Sequence, residues 1–511
     1  MQCAKSLHMT TEKPLSCLLY LVLTLVLLSS CTNKKTHSWK IFLPAIGTYS
    51  SPRVVDLNND GILDIVMGAG GQEEHHTDTA LIALDGATGK LLWSLPAENQ
   101  NVGSAVFQDI NNDGTPDVFI GGRWAQLTAI NGADGKIIWS FFPGRTNADA
   151  SDQGWYNFTT PQLVPDQDGD GLEDLLIANG GNPKAAAGDP DRPAGRLLVL
   201  SGKSGKILSN VEVPDGRETY MSVVCSRIKV SGNLTVIFGT GGESIGGHLF
   251  RTTLKDIIQG DISTATILAT SETKGFVAPP ILVDITNDGI LDIVDNAVDG
   301  QMLAINGVND SLLWKVNMPG TEAYTMPAAG YFNADAIPDF FANFAIGTFP
   351  NLPRSIRFMV DGKTGKVNYQ DTVPAFQYAS PVTADLNGDG YDETLVNQSA
   401  VKRKQFENIY YSYLLIFDFK NHNTYPIGDT LKATNIASTP WIGDLNRDNK
   451  IDIIYSAVQY QDVRFDLQKP LGIFVACYPT NILIKKPVIW GAYMGSDYTG
   501  TFKKTVNPGP K

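Results

Sequence analysis

The sequence predicts an all-β protein, an eight-bladed β-propeller of four-stranded antiparallel blades. Three observations predict it: an acidic loop recurs at a nearly fixed interval, each copy is followed by the same succession of short apolar runs, and the repeat fills the chain from about residue 40 onward. Self-similarity at such a period means units that cannot bury their apolar faces alone and must stack on their neighbours.

The loop is clearest where the chain reads Asp-Gln-Asp-Gly-Asp-Gly-Leu-Glu-Asp from Asp166 to Asp174. Carboxylates at positions 1, 3, 5 and 9 (Asp166, Asp168, Asp170, Asp174) converge when the backbone coils, and Gly171 at position 6 supplies the left-handed residue that such a coil needs. The carbonyl of Leu172 at position 7 completes an all-oxygen shell, which suits calcium better than zinc or magnesium. Position 1 recurs at Asp56, Asp109, Asp284, Asp385 and Asp444, and in degenerate form at Arg227 and Tyr331, with spacings of 47 to 61 residues. Eight units follow from that register.

Each unit is then expected to hold its ion through the same positions. Unit one offers Asp56, Asn58, Asp60, Ile62 and Asp64; unit two offers Asp109, Asn111, Asp113, Thr115 and Asp117. Unit five offers Asp284, Thr286, Asp288, Ile290 and Asp292, weakened by a neutral hydroxyl. Unit seven offers Asp385, Asn387, Asp389, Tyr391 and Glu393, and unit eight Asp444, Asn446, Asp448, Lys450 and Asp452, with Asn449 tolerating the left-handed position. Unit four places Arg227 and Lys229 where carboxylates belong, so it keeps the turn without a metal. Unit six, with Tyr331 at position 1 and Ala336 in place of glycine, retains only Asn333, Asp335 and Asp339 and is expected to bind poorly.

In unit one the loop is followed by Ile-Val-Met-Gly, then Leu81-Ile-Ala-Leu, then Gly89-Lys-Leu-Leu-Trp-Ser, giving four strands with a tight Asp85-Gly-Ala-Thr-Gly turn between the third and fourth. On these residues the chain resembles the FG-GAP/VCBS-type β-propellers, whose Asp-x-Asp/Asn-x-Asp-Gly-x-x-Asp loops bind calcium, as in the integrin α-subunit head. The resemblance implies several bound calcium ions and leaves function open, since that scaffold serves adhesion, assembly and a few enzymes. The Gly-Lys-x-x-Trp strands ending in Trp93, Trp139 and Trp314 also resemble the tryptophan-docking repeats of PQQ-type propellers.

The chain has 511 residues, 43% hydrophobic content and a formal charge of -13, with a pI near 4.9. An acidic balance of this size excludes a nucleic-acid partner, which needs a basic face. Much of the acid sits in the loops, where bound cations would offset it.

Lys5 and Lys13 precede an apolar run from Leu15 to Leu28, too short to span a bilayer and suited to a signal peptide. The run ends in Leu28-Ser29-Ser30-Cys31, which resembles a bacterial lipobox. The division is therefore a signal peptide over 1–30, a short tether over 31–38 and one propeller over 39–511, lipidated at Cys31. The resemblance implies a lipid anchor in the cell envelope of a Gram-negative bacterium, at the outer membrane because Thr32 rather than aspartate follows the cysteine. Cys225 and Cys477 fall in units four and eight, on opposite sides of a ring of eight, and are expected to stay unpaired.

Acidic loops and Asp-Gly turns share one face of the disc, so the long connections between second and third strands gather on the other, where binding usually resides. That face is expected to carry Glu73, Glu74, His75, His76, Arg192, Arg196, Lys402, Arg403, Lys404, Tyr410, Tyr411, Tyr460 and Arg464. An aromatic residue also precedes six of the eight first strands (Tyr49, Phe158, Tyr220, Phe276, Tyr324, Tyr378). With Trp155 and Tyr156, these rings either pack between blades or circle the channel mouth as a stacking platform for a sugar or peptide.

No Ser/His/Asp order, Cys/His pair or nucleotide loop stands out, which favours a membrane-anchored module binding a glycan, peptide or protein. Two alternatives remain: a propeller enzyme, either a polysaccharide lyase drawing on His75, His76 or Tyr410 or a quinone-type dehydrogenase, and a periplasm-facing assembly scaffold.

Overall fold

The computed structural model describes residues 38–503 apart from 73–74, 143–154, 183–184, 187–188, 190, 230–231, 350, 405–406 and 461–468. Eight sheets follow one another around a ring, each built on four antiparallel strands running outward from the centre. Blade 1 comprises Arg53–Val55, Asp64–Gly68, Thr77–Leu84 and Leu91–Ala97. Blades 2 to 7 repeat this order, starting at Val106, Gln162, Val224, Ile281, Ala328 and Val382. The eight-bladed all-β reading therefore holds.

Blade 8 is assembled from both ends of the chain. Its inner strands are Trp441–Gly443, Lys450–Tyr460 and Pro470–Leu483, and its outermost strand is Trp39–Pro44, paired antiparallel with Trp39 opposite Cys477 and Pro44 opposite Gly472. Closing the ring with the two ends removes the sheet edge that an open array would expose.

Neighbouring blades are joined by docked tryptophans. The indole N–H of Trp39, Trp93, Trp139 and Trp314 donates to the carbonyl of Gly86, Gly132, Gly202 and Gly362 in the next blade, at 2.9, 2.8, 2.9 and 2.7 Å. Each ring also lies flat on a second turn glycine: at Gly135, whose φ is +74°, an added Cβ would stand 2.7 Å from the Trp93 ring. Only glycine meets both demands.

The inner strands are short, three residues in every blade, and six start after proline (Pro52, Pro161, Pro280, Pro327, Pro381, Pro440), which cannot donate to a ladder. The residues just before them form a hydroxyl girdle. Met326 N donates to Ser380 Oγ, Ser380 N to Thr439 Oγ1, Thr439 N to Ser51 Oγ, Ser51 N to Ser104 Oγ and Ser104 N to Thr160 Oγ1, all at 3.0–3.2 Å. The girdle hands one backbone donor from blade to blade across six of the eight.

The central channel is filled by the chain itself. After the last blade strand, Thr383 N and Ile442 N donate to the carbonyls of Trp490 and Gly491 (2.8 and 2.7 Å). The segment then folds back on itself, Ser496 N to Ile489 O at 2.9 Å, and finishes as Thr501–Phe502, parallel to the inner strand Ile281–Val283 of blade 5. Trp490, Ala492, Met494 and Phe502 are buried, and the plug touches the inner strands of blades 1, 3, 4, 5, 7 and 8. No repeat signal marks residues 484–503, and nothing local in the chain announces the plug.

Two expectations need correction here. The second-to-third connections of blades 6 and 7 are β-hairpin arms, Asp339–Thr348 with Asn351–Val360 and Glu393–Lys404 with Glu407–Asp418, not irregular loops. Cross-strand pairs such as Ala400 with Tyr411 and Val401 with Tyr410 extend the ladder beyond the blade body, because β-branched and aromatic residues alternate there. The other is that Cys225 and Cys477 both sit as small buried hydrophobes: Cys477 is buried but Cys225 is only half-buried, and while the two are unpaired as expected, burial pushes both thiols up, Cys225 to about 12.

Replacing Trp490 by alanine is expected to lower stability by about 3–5 kcal/mol, the cost of a large buried side chain, read from urea midpoints. A loss below about 1 kcal/mol would mean that the plug is peripheral to the fold.

Candidate metal centre and the opposite face

Each acidic loop is a ladder of local hydrogen bonds. The position-1 carboxylate accepts from the backbone N–H of position 6, as in Asp56 from Gly61 (3.0 Å), Asp109 from Gly114 (3.0 Å), Asp166 from Gly171 (2.8 Å), Asp284 from Gly289 (3.1 Å), Asp385 from Gly390 (3.0 Å) and Asp444 from Asn449 (2.9 Å). Position 3 accepts from the N–H of position 5 in Asn58, Asn111, Asp168, Asn387 and Asn446. Position 5 in turn accepts from position 7, so that Asp60, Asp113, Asp170, Asp288, Asp389 and Asp448 hold the N–H of Ile62, Thr115, Leu172, Ile290, Tyr391 and Lys450.

Position 9 behaves differently. Asp64, Asp117, Asp174, Asp292, Asp339, Glu393 and Asp452 are all buried. In five blades the carboxylate joins two turns: Asp64 accepts from Leu57 N in its own loop (2.8 Å) and from Gly86 N in the third-to-fourth turn (2.9 Å). Asp117, Asp174 and Asp292 repeat this with Ile110 and Gly132, Gln167 and Gly202, and Ile285 and Gly307; Asp339 takes Gly362 N. The approach is so close that a Cβ on Gly86 would stand 1.9 Å from the Leu63 carbonyl. Burial pushes these carboxyls upward against the pull of the donated N–H groups, Asp64 to about 6 and Asp339 to about 8.

The loops differ in how well they fit a hard cation. In blade 3 one oxygen each from Asp166, Asp168 and Asp174 lie within 4.8 Å of one another. Gly171 is left-handed at φ +88°, and no basic side chain pairs with these acids among the described residues. This all-oxygen donor set fits calcium. In blade 2, Asp109 Oδ1 is buried with no hydrogen-bond partner among the described residues, which also fits. Blade 5 is poorer than its sequence suggested, because the Thr286 hydroxyl turns inward to donate to Asp292 (3.1 Å).

Blade 7 is crowded by cations. Lys420 Nζ sits 3.2 Å from Asp389 and 4.0 Å from the Tyr391 ring, while Lys485 and Lys486 donate to the carbonyls of Gly388 and Gly390 (2.5 and 3.0 Å). In blade 8, Lys450 Nζ approaches Asp448 at 3.8 Å. Blade 4 keeps its frame by an internal cation, Arg227 Nη1 donating to Gly232 O at 2.8 Å, and blade 6 keeps the turn with Ala336 at φ +61°.

On the opposite face the structure gathers a different group from the one expected. Tyr324 and Tyr378 stack with centroids 4.6 Å apart. Tyr324 donates to Glu322 at 2.6 Å, Glu322 pairs with Lys274 at 2.6 Å, and Lys274 also donates to the Glu243 carbonyl at 2.7 Å. Tyr220 contacts the Glu243 carboxylate, and Glu218 faces Arg192 at 3.8 Å. Burial raises Glu218 to about 7 although Arg192 pulls it down. Glu218-Thr219-Tyr220 and Glu322-Ala323-Tyr324 stand in the same register ahead of their inner strands; that repeated Glu-x-Tyr was the available signal.

The remaining expected residues do not converge. Phe158 and Phe276 are wholly buried, and Tyr156 is 3% exposed, so these rings pack between blades. Trp155 packs edge-on against Phe141. His75 and His76 are exposed, His76 lying 3.3 Å from Asp78 and 3.7 Å from Glu98, and Arg196 binds its own blade at Asn210 and Glu212. Tyr410 is half-buried on the blade 7 arm, at whose tip the Arg403 and Lys404 side chains lie outside the described residues. Glu73, Glu74, Arg464, Cys31 and the whole 1–30 leader are also outside them. Among the described residues no helix is long and apolar enough to cross a membrane.

Residues 39–251 match the model of the FAM234A/B β-propeller. Protein FAM234B of Mus musculus is 24% identical over 410 residues, covering 72% of this chain, and the Homo sapiens protein is 24% identical over 409. The chain spans 60% of the length of these relatives. Among solved structures, a europium-containing methanol dehydrogenase superposes with a TM-score of 0.55 at 12% identity, covering 86% of this chain and 92% of the other. Sqt1 of Saccharomyces cerevisiae superposes with a TM-score of 0.52 at 8% identity, covering 88% and 100%. Both share the fold. The relatives correct the expected location: mouse and human proteins match, so the Gram-negative cell envelope is withdrawn. A four-residue string after an apolar run is short enough to arise by chance; similarity over 410 residues is not.

Asp174→Asn is expected to lower stability by about 1–3 kcal/mol even in chelator, because one of two buried N–H groups then faces an amide donor. The exposed Asp168→Ala should stay within about 0.5 kcal/mol in chelator; equal losses would show that position 9 has no special structural part. For Glu218, whose folded pKa is raised, stability is fully present below pH 4.5 and is lost as pH rises toward 7. Glu218→Gln should flatten melting temperature over that window.

Proposed function

We propose that the chain is a calcium-braced recognition propeller, in which ions held by the acidic turns stiffen one face and the other binds a glycan, peptide or protein. The observation that carries the metal half is the convergence of Asp166, Asp168 and Asp174 in blade 3 with no basic partner among the described residues. Calcium there supplies charge compensation and cross-links a hairpin; the chain's own residues contribute the preformed coil. Blades 1 and 2 follow in affinity, and the lysine-lined loops of blades 7 and 8 come last.

The recognition half rests on the Tyr324 and Tyr378 stack with its surrounding Glu322, Lys274 and Glu243, flanked by the hairpin arms of blades 6 and 7. Aromatic faces beside carboxylates and an ammonium group can stack a ring and hydrogen-bond its polar edge. Trp39 docks on the Gly86 turn, so the chain enters the propeller on the acidic face.

Chelation should lower the melting temperature, since ions bound only by the folded state stabilise it by mass action. Asp168→Ala should remove much of the calcium-dependent increment and Asp335→Ala little of it. Glycan and peptide arrays probed in parallel should lose signal with Tyr378→Ala. Identical melting curves with calcium and with chelator would overturn the metal half, and unchanged array binding in the tyrosine variant the other.

A further inference from the structure

We propose that the channel contains a closed site for a small monovalent inorganic anion of the halide class, with Arg53 as its cation. Arg53 opens the inner strand of blade 1 directly after Pro52, and it is 0% exposed. Its guanidinium lies over the Tyr498 ring, 3.7 Å from the centroid, and Nη2 donates to the Tyr493 carbonyl at 3.2 Å. Those two contacts occupy one face and one nitrogen. Nε and Nη1 are buried and have no hydrogen-bond partner among the described residues.

Among the described residues no carboxylate forms an ion pair with Arg53, and Asp497, the acid whose field reaches it, is engaged by Lys503. Tyr493 and Tyr498 are neutral phenols, held further from ionisation by burial. A ring face offsets a buried cation only in part, and a buried charge without a counter-charge is strongly unfavourable. Arginine does not escape by losing its proton, since burial lowers it only to about 10.

The surroundings select the class of ligand. The plug covers the guanidinium through Tyr493 and Tyr498, and Ser51, two residues ahead of Arg53, belongs to the hydroxyl girdle. One guanidinium balances one negative charge, and two free N–H groups suit a spherical acceptor; phosphate or sulfate would bring more charge and more oxygens than this wall can satisfy. The inference is independent of calcium binding, which concerns the acidic face.

Crystals of the full chain soaked in bromide test it. Anomalous density within hydrogen-bond distance of Arg53 Nε or Nη1 is expected. In solution at constant ionic strength, exchanging gluconate for chloride should raise the melting temperature by roughly one to two degrees per tenfold chloride once the site is saturating. Arg53→Met should abolish that dependence while still folding, because replacing a buried charge by an apolar chain of like volume is often tolerated; Arg53→Lys should retain part of it. Water density alone at the two nitrogens, or bromide only elsewhere, together with chloride-independent melting, would overturn the proposal.

Discussion

The buried carboxylate at the ninth position of seven of the eight hairpins is the contact on which the blades depend. A carboxylate taken out of water is costly unless backbone donors meet it, and here two N–H groups from separate turns do so. In Asp64 these come from Leu57 and Gly86. One side chain thereby fixes where the first-to-second loop sits relative to the third-to-fourth turn. Glycine is required at the second turn because the backbone passes too near the neighbouring carbonyl for any Cβ. The carbonyl of that same glycine then receives the tryptophan of the preceding blade in four of the eight junctions. Hairpin, turn and inter-blade contact are thus one linked unit, and the acidic repeat is structural before it is ionic.

This ordering explains why the loops can diverge without breaking the ring. Blade 6 has lost its first carboxylate and its glycine yet keeps Asp339 buried against Gly362, and its turn is intact. Blade 4 has lost every carboxylate and substitutes an arginine that binds the loop carbonyl. On the proposed reading, ion binding is a variable laid over a constant frame, favoured where exposed aspartates outnumber cations and disfavoured where Lys420, Lys485 and Lys486 already sit.

The two faces of the disc divide the remaining work. Both described ends of the chain are bound up in closure: Trp39–Pro44 completes blade 8, and residues 489–502 fill the channel. The channel is therefore core rather than conduit, and the aromatic residues ahead of the inner strands separate into two kinds. Phe158 and Phe276 became packing, whereas Tyr324 and Tyr378 remained part-exposed beside Glu322 and Lys274. Blade identity, not the local tripeptide, decided which was which.

Much of the scaffold was legible because repetition multiplies weak signals: six acidic turns and two degenerate ones in register give the blade number, and Trp93, Trp139 and Trp314 at a constant offset from their glycines announce the docking geometry. Trp39 escaped, since its partner strand lies over 400 residues away and no local pattern reports that pairing. The plug and the polar cluster escaped for the same reason. Sequence alone determined the repeat, its period and the hydrogen-bonding capacity of each loop, all of which are set by neighbours along the chain. Only tertiary structure decided which carboxylates are buried, which lysines crowd a loop and that Arg53 has no ion-pair partner among the described residues, because burial and charge pairing are properties of what the closed ring brings together.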